Sequence, residues 1–187
     1  MVRICTTVVG VLVALASFSV SKPVAIHASV ADVQADFATI RNVNIPRLNN
    51  AIANLPDSPD EVKGPEVAEV QRATAALSSK MIETDGHVKD VPSVDRDEAE
   101  MLLTSMEVSH RTILGPIDAI AAKSGTFTGK EAPLRPLVRR EIVKLKVNYV
   151  QLADDLLAKT PDDMKPRGEV LKSDAVQHFD NAINEYN

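Results

Sequence analysis

Between residues 65 and 91, Val67, Val70, Thr74, Leu77, Met81, Thr84, Val88 and Val91 follow one another at alternating steps of three and four. That spacing lays one narrow stripe along a helix. A strand cannot use it, because strand side chains change face at every residue. A helix with such a stripe is stable only when the stripe packs on another helix. Residues 29–55 repeat the pattern with Val30, Val33, Phe37, Ile40, Leu48, Ile52 and Leu55. There Asn44 takes a slot due to an apolar residue, and Pro46 lacks the N–H of a helix hydrogen bond, so a kink or break is expected near Asn44 and Ile45.

Three more segments follow. One opens at Ser93, an expected N-cap, with Asp95, Asp97 and Glu98 suiting the helix dipole, and its stripe is Leu102, Met106, Ser109, Ile113, Ile117 and Ile120. Gly115-Pro116 is expected to bend it. The next carries Leu134, Val138, Ile142, Leu145, Tyr149, Leu152 and Leu156, and the last carries Leu171, Ala175, Phe179, Ala182 and Tyr186. Pro56, Pro59, Pro65, Pro92, Pro133, Pro136, Pro161 and Pro166 fall between segments or in first turns. Residues 123–132 read as a loop, and no segment alternates with a period of two. The expectation is an all-α, five-helix up-and-down bundle with shallow crossings of about +20°.

Residues 1–16 read as a cleaved signal peptide: Arg3, then an uncharged stretch from Ile4, then Ala14-Leu15-Ala16 as a small-x-small cleavage site. Residues 17–28 are expected to be a flexible N-terminal segment and residues 29–187 the bundle domain. Cys5 is the sole cysteine and leaves with the signal, so no disulfide framework is expected. No transmembrane segment, N-glycosylation sequon or lipid-anchor tail is read in the rest. The expected location is extracellular.

Several function classes are excluded. A net charge of −5 with 3% aromatics suits neither a phosphate backbone nor a base-stacking platform, so no nucleic-acid partner is expected. No nucleophile elbow, P-loop, H-E-x-x-H or C-x-x-C is present, so neither an enzyme nor a cofactor is expected. Glu107-Val108-Ser109-His110 has the E-x-x-H spacing of di-iron bundles, but those need a second such motif and further glutamates. His110 is therefore expected at the edge of its stripe, partly exposed. Arg135, Arg139, Arg140, Lys144 and Lys146 form a basic helix face, read as solvated or as a contact for an anionic surface.

The polar residues in or beside the stripes carry more information: Asn44, Thr74, Ser78, Ser105 and Ser109, with Thr84. In one reading the hydroxyls bond their own helix carbonyls. In the other, some converge on an apolar cavity and receive a polar head group.

Four local stretches resemble the fungal hydrophobic surface binding protein A (HsbA) family, which includes cell-wall galactomannoproteins. They are Leu48-Asn49-Asn50-Ala51-Ile52 within residues 33–55; residues 120–127, a helix end followed by Phe127; residues 152–161; and residues 179–186. The resemblance implies a secreted, non-enzymatic helical bundle that adsorbs to hydrophobic surfaces, can recruit a secreted esterase and can be cell-wall associated. In related mannoprotein domains it implies a fatty acid held in the core. Pro46 and Gly115-Pro116 depart from uninterrupted helices, and with no Ser/Thr-rich stalk read in the sequence, covalent wall attachment is not expected.

The leading expectation is thus an amphiphile-binding bundle. Phe37, Leu77, Met81, Leu102, Met106, Ile113, Leu145, Tyr149, Leu152 and Phe179 are expected to line the ligand, with Asn44, Thr74, Ser78, Ser105 and Ser109 as head-group candidates. The competing expectation is a dry-cored scaffold that recruits a hydrolase through its outer faces. An apolar void of roughly 300 Å³ or more would favour the first.

Overall fold

Ser29 and Asp95 start their helices in the same way. The Ser29 hydroxyl accepts from the Asp32 N–H at 3.2 Å while the Asp32 carboxylate accepts from the Ser29 N–H at 2.8 Å. Asp95 and Glu98 repeat the exchange at 2.8 and 3.0 Å. Each box satisfies two N–H groups that a helix start would otherwise leave bare. Asp95, not the expected Ser93, is the cap, because its partner glutamate stands three residues on. A computed structural model describes residues 27–58 and 64–187. The signal peptide and nearly all of the N-terminal segment read in the sequence lie outside the described residues.

The helices are α1 (Val30–Thr39), α2 (Ile45–Ala53), α3 (Gly64–Asp90), α4 (Arg96–Ala122), α5 (Arg135–Lys159) and α6 (Lys165–Glu185). A π-helical stretch, Ile40–Asn44, joins α1 to α2, so the two make one interrupted rod and the bundle has five rods. Pro46 explains the interruption. It has no N–H for the carbonyl four residues back, and the Ile45 N–H instead reaches the Ile40 carbonyl, five back. Pro116 lies buried inside α4, which continues through it to Ala122. The loop after α4 contains two 3-10 turns, Ser124–Thr126 and Gly129–Leu134. No strand occurs among the described residues.

Short connections send successive rods in opposite directions, yet the principal contacts do not follow chain order. α3 packs on α2 and α5, α5 on α6, α6 on α4, and α4 on α1 and α2. The rods therefore close a five-membered ring in which α3 and α5 run parallel, as do α4 and α6. The predicted stripes fill its centre, where Leu77, Leu156 and Phe179 are wholly buried, and Leu103, beside the α4 stripe, is buried with them.

The two ends of the ring are tied differently. At one end the Lys123 ammonium donates to the Leu55 carbonyl at 2.6 Å and pairs with Asp57 at 2.5 Å, and Phe127 packs on Tyr186 at 5.9 Å between ring centroids. At the other, the Lys159 ammonium donates to the Val91 carbonyl at 2.6 Å and Arg96 pairs with Asp163 at 2.7 Å. Near that end, a Cβ on Gly168 would come within 2.5 Å of a Leu157 methyl and 3.2 Å of a Leu103 methyl, so a glycine lets α6 sit close to α4 and α5.

Candidate functional site

Two apolar cavities lie in the ring, one toward each end. The first is walled by Leu48 and Ile52 of α2, Val67, Val70, Gln71 and Thr74 of α3, Pro116, Ile117 and Ile120 of α4, Phe127 of the loop, and Val138, Glu141, Ile142 and Leu145 of α5. The second is walled by Phe37, Ile40, Met81, Met106, Ser109, Ile113, Tyr149, Leu152, Ala153 and Leu156. Each has a volume of about 20 Å³, room for roughly one water molecule. Among the described residues neither cavity in the ring approaches the roughly 300 Å³ expected of an acyl-chain void. The stripes interdigitate too well, and the interior of the ring is nearly filled.

The expected lining residues divide accordingly. Phe37, Met81, Met106, Ile113, Tyr149 and Leu152 meet at the second cavity and Leu145 at the first. Leu77, Leu102 and Phe179 are buried in the core but form neither wall. Thr74 is in the first wall and Ser109 in the second. Ser105 is on neither: its hydroxyl donates to the Met101 carbonyl at 2.9 Å, as Thr84 does to the Lys80 carbonyl at 2.7 Å. These two follow the local-bond reading.

Three other head-group candidates do not. Asn44 Oδ1, Ser78 Oγ and Ser109 Oγ are buried without a hydrogen-bond partner. An unmet buried hydroxyl or amide costs about 1–3 kcal/mol, so it needs a reason to persist. All three lie near the middle of their rods, and Ser109 faces a cavity.

Beside Ser109, His110 is 4% exposed rather than at an edge, because two partners meet it. Its Nδ1 is 3.2 Å from the Tyr149 hydroxyl and its Nε2 is 2.9 Å from Asp174 Oδ2. A chain of hydrogen bonds thus runs from a cavity wall to a half-exposed carboxylate. Burial, with a smaller contribution from the Asp174 charge, raises the Tyr149 pKa well above the usual phenol range, so the hydroxyl stays neutral. The sequence marked His110 only as a metal motif. The usable signal was that α4 and α5 each bring a polar side chain to the interior, and interior polar groups need each other.

A second polar cluster, centred on the buried Asp36, joins α1 to α3. Asp36 accepts from Lys80 at 2.6 Å and lies 2.6 Å from His87 Nδ1, and Lys80 also meets Glu83 at 3.0 Å. Asp36, Glu83 and His87 place ligand atoms within 4.8 Å of one another. The Lys80 ammonium already supplies the positive charge a metal would bring, so the cluster is a salt-bridge knot.

The basic face of α5 is similarly consumed. Arg135 donates to the Glu185 carbonyl at 2.5 Å, Arg139 to Asn187 Oδ1 at 3.0 Å, Lys144 to Glu141 at 2.9 Å and Lys146 to Asp180 at 2.6 Å, with Arg140 3.5 Å from Glu141. Among the described residues no helix is long and apolar enough to cross a membrane.

The ring of five rods defines an all-α bundle with a narrow apolar interior, and solved structures share its fold. A crystal structure of Afmp4p in complex with palmitic acid superposes with a TM-score of 0.77 at 17% identity, covering 85% of this chain and 100% of that one. Ligand binding domain 1 of the Penicillium marneffei MP1 protein, complexed with arachidonic acids, superposes with a TM-score of 0.72 at 18% identity, covering 85% and 99%. These likenesses establish the fold. No family model and no curated protein matches the chain.

Proposed function

We propose that the protein is a secreted, non-enzymatic amphiphile carrier of the HsbA type, which takes an acyl chain along the axis of the ring. The observation that carries this reading is the pair of apolar cavities on one axis, the second holding a buried, unpartnered hydroxyl at Ser109. Two proteins of the same fold are complexed with palmitic and arachidonic acids. In the closed form the cavities do not admit a chain, so binding requires the rods to separate. Each CH2 taken from water contributes about 0.8 kcal/mol, and a long chain thereby offsets the helix contacts it displaces. The π stretch at Ile40–Asn44 and Pro116 in α4 are the places where a rod lacks part of its regular hydrogen bonding and yields most easily.

The test is native mass spectrometry of delipidated protein with palmitate. One bound chain at micromolar lipid supports the reading, and no bound species contradicts it. Adsorption to hydrophobic surfaces and residence in a cell wall belong to the same proposal, since an opened ring offers its stripes to any apolar phase.

A second reading is favoured by the nearly filled interior: a scaffold whose outer faces recruit a secreted hydrolase such as an esterase. It predicts no lipid uptake and a core that stays closed in the presence of amphiphile.

A further inference from the structure

Building on the amphiphile reading, we propose that the second cavity is a head-group site for an ionised carboxylate, and that His110 takes up one proton when the carboxylate binds.

The two cavities differ in what they offer an anion. The first carries Gln71, Thr74 and Glu141, the last already paired with Lys144 at 2.9 Å, and no buried hydroxyl without a partner. The second carries the unpartnered Ser109 hydroxyl, 6% exposed as a residue, and the ring of Tyr149, whose hydroxyl is held by His110. No acidic side chain forms its wall.

The protons follow from donor and acceptor rules. Asp174 as a carboxylate can only accept, so His110 Nε2 carries a hydrogen. Neutral His110 then has a bare Nδ1, which accepts the Tyr149 proton. In that state Tyr149 has no proton for a guest. When His110 gains a proton at Nδ1, that N–H donates to the Tyr149 oxygen, and the phenol proton turns toward the cavity. Ser109 and Tyr149 then both donate to the carboxylate, and the imidazolium offsets its buried charge. The proton comes from solvent, and no covalent bond of the guest changes. Asp174 is about half exposed and stabilises the imidazolium from outside.

Other charged groups on the helices around His110 already have partners. Glu107 pairs with Arg167 and Arg111, His178 with Asp118, Lys146 with Asp180, and Asp36 with Lys80 and His87. His110 meets Asp174 through Nε2 and keeps Nδ1 toward Tyr149 of the second cavity, which places it to answer a new negative charge there.

The experiment is calorimetric titration of the full chain with dodecanoate and with 1-dodecanol, at one pH in two buffers of different ionisation heat. Wild type should take up close to one proton with dodecanoate and none with dodecanol. His110→Gln should bind dodecanol as wild type does, bind dodecanoate at least tenfold more weakly, and take up no proton. No uptake by wild type overturns the proposal whatever the variant does. Uptake that persists in His110→Gln also overturns it, because the guest then enters as the neutral acid. Wild type that binds both ligands equally without uptake leaves the carrier reading standing and removes this one, whereas wild type that binds neither removes both.

Discussion

The Tyr186 hydroxyl donates to the Ile120 carbonyl at 2.6 Å, so the residue that ends α6 is fastened to the last turn of α4. The bond is 66 residues long in sequence and buried, and it is a second bond to a carbonyl that already accepts from the Lys123 N–H at 3.1 Å. Phe127 packs on the same ring, and the Arg135 guanidinium lies 5.7 Å from its centroid. Tyr186→Phe keeps the packing and removes the bond. It should cost about 1 kcal/mol in urea unfolding, the net worth of one buried hydrogen bond, because the Ile120 carbonyl keeps the Lys123 N–H.

The knot between α1 and α3 should be more sensitive. Asp36→Ala leaves the Lys80 ammonium, only 15% exposed, with Glu83 as its remaining partner, and should cost about 2 kcal/mol by the same measurement. Burial lowers the Lys80 pKa, but its bonds to Asp36 and Glu83 outweigh that and raise it above the usual 10.5. A raised lysine stabilises fully below its unfolded pKa and ceases to as pH climbs through the folded value. The Lys80 contribution should therefore be complete at neutral pH and fade in strong alkali.

Asp85 behaves oppositely to the surface carboxylates. Burial first, then its neighbour Asp155, raises its pKa above 3.8 against the pull of Lys89. A raised carboxyl favours folding below its unfolded pKa and loses that contribution as pH rises through the folded value. Asp85→Asn should therefore match wild type near pH 3 and be more stable by up to about 1 kcal/mol at pH 7. Glu107 has the reverse sign: its bond to Arg167 holds it below 4.5, so its contribution exists above that value and disappears on acidification. Chemical unfolding of both variants across pH separates the two cases.

Ala153 is 2% exposed in the wall of the second cavity. Ala153→Val fills space that is otherwise empty, so stability should change by no more than about 1 kcal/mol. Dodecanoate affinity should fall at least tenfold, as read by calorimetry. A variant that stays folded and binds normally would move the guest away from this cavity.

The rods were legible because each stripe is a local property: Val138 to Leu156 defines α5 whatever surrounds it. The interruption at Asn44 and Pro46 was legible too, since the missing N–H is written in the residue. Ring order was not, because the stripe of α3 fits α4 and α5 alike, and only packed volume chooses. The sequence points to Ser93 as the cap where the structure has Asp95, because both residue types cap well and only Glu98 decides. At the candidate site, Ser109, Tyr149, Met81 and Met106 could be named from their places in stripes. His110 and Asp174 could not, since their pairing joins α4 to α6 across 64 residues and depends on the ring being closed. The near absence of void was equally hidden, because free space depends on rotamers rather than on pattern.

The methionines provide the most direct test. Met81 and Met106 wall the second cavity, while Met101 is 43% exposed on the same helix as Met106. With 13C-methyl methionine and unlabelled dodecanoate, contacts between acyl protons and the Met81 and Met106 methyls, with none to Met101, are predicted. Acyl contacts to Met101 alone would place the amphiphile on the outside and contradict a guest in the ring.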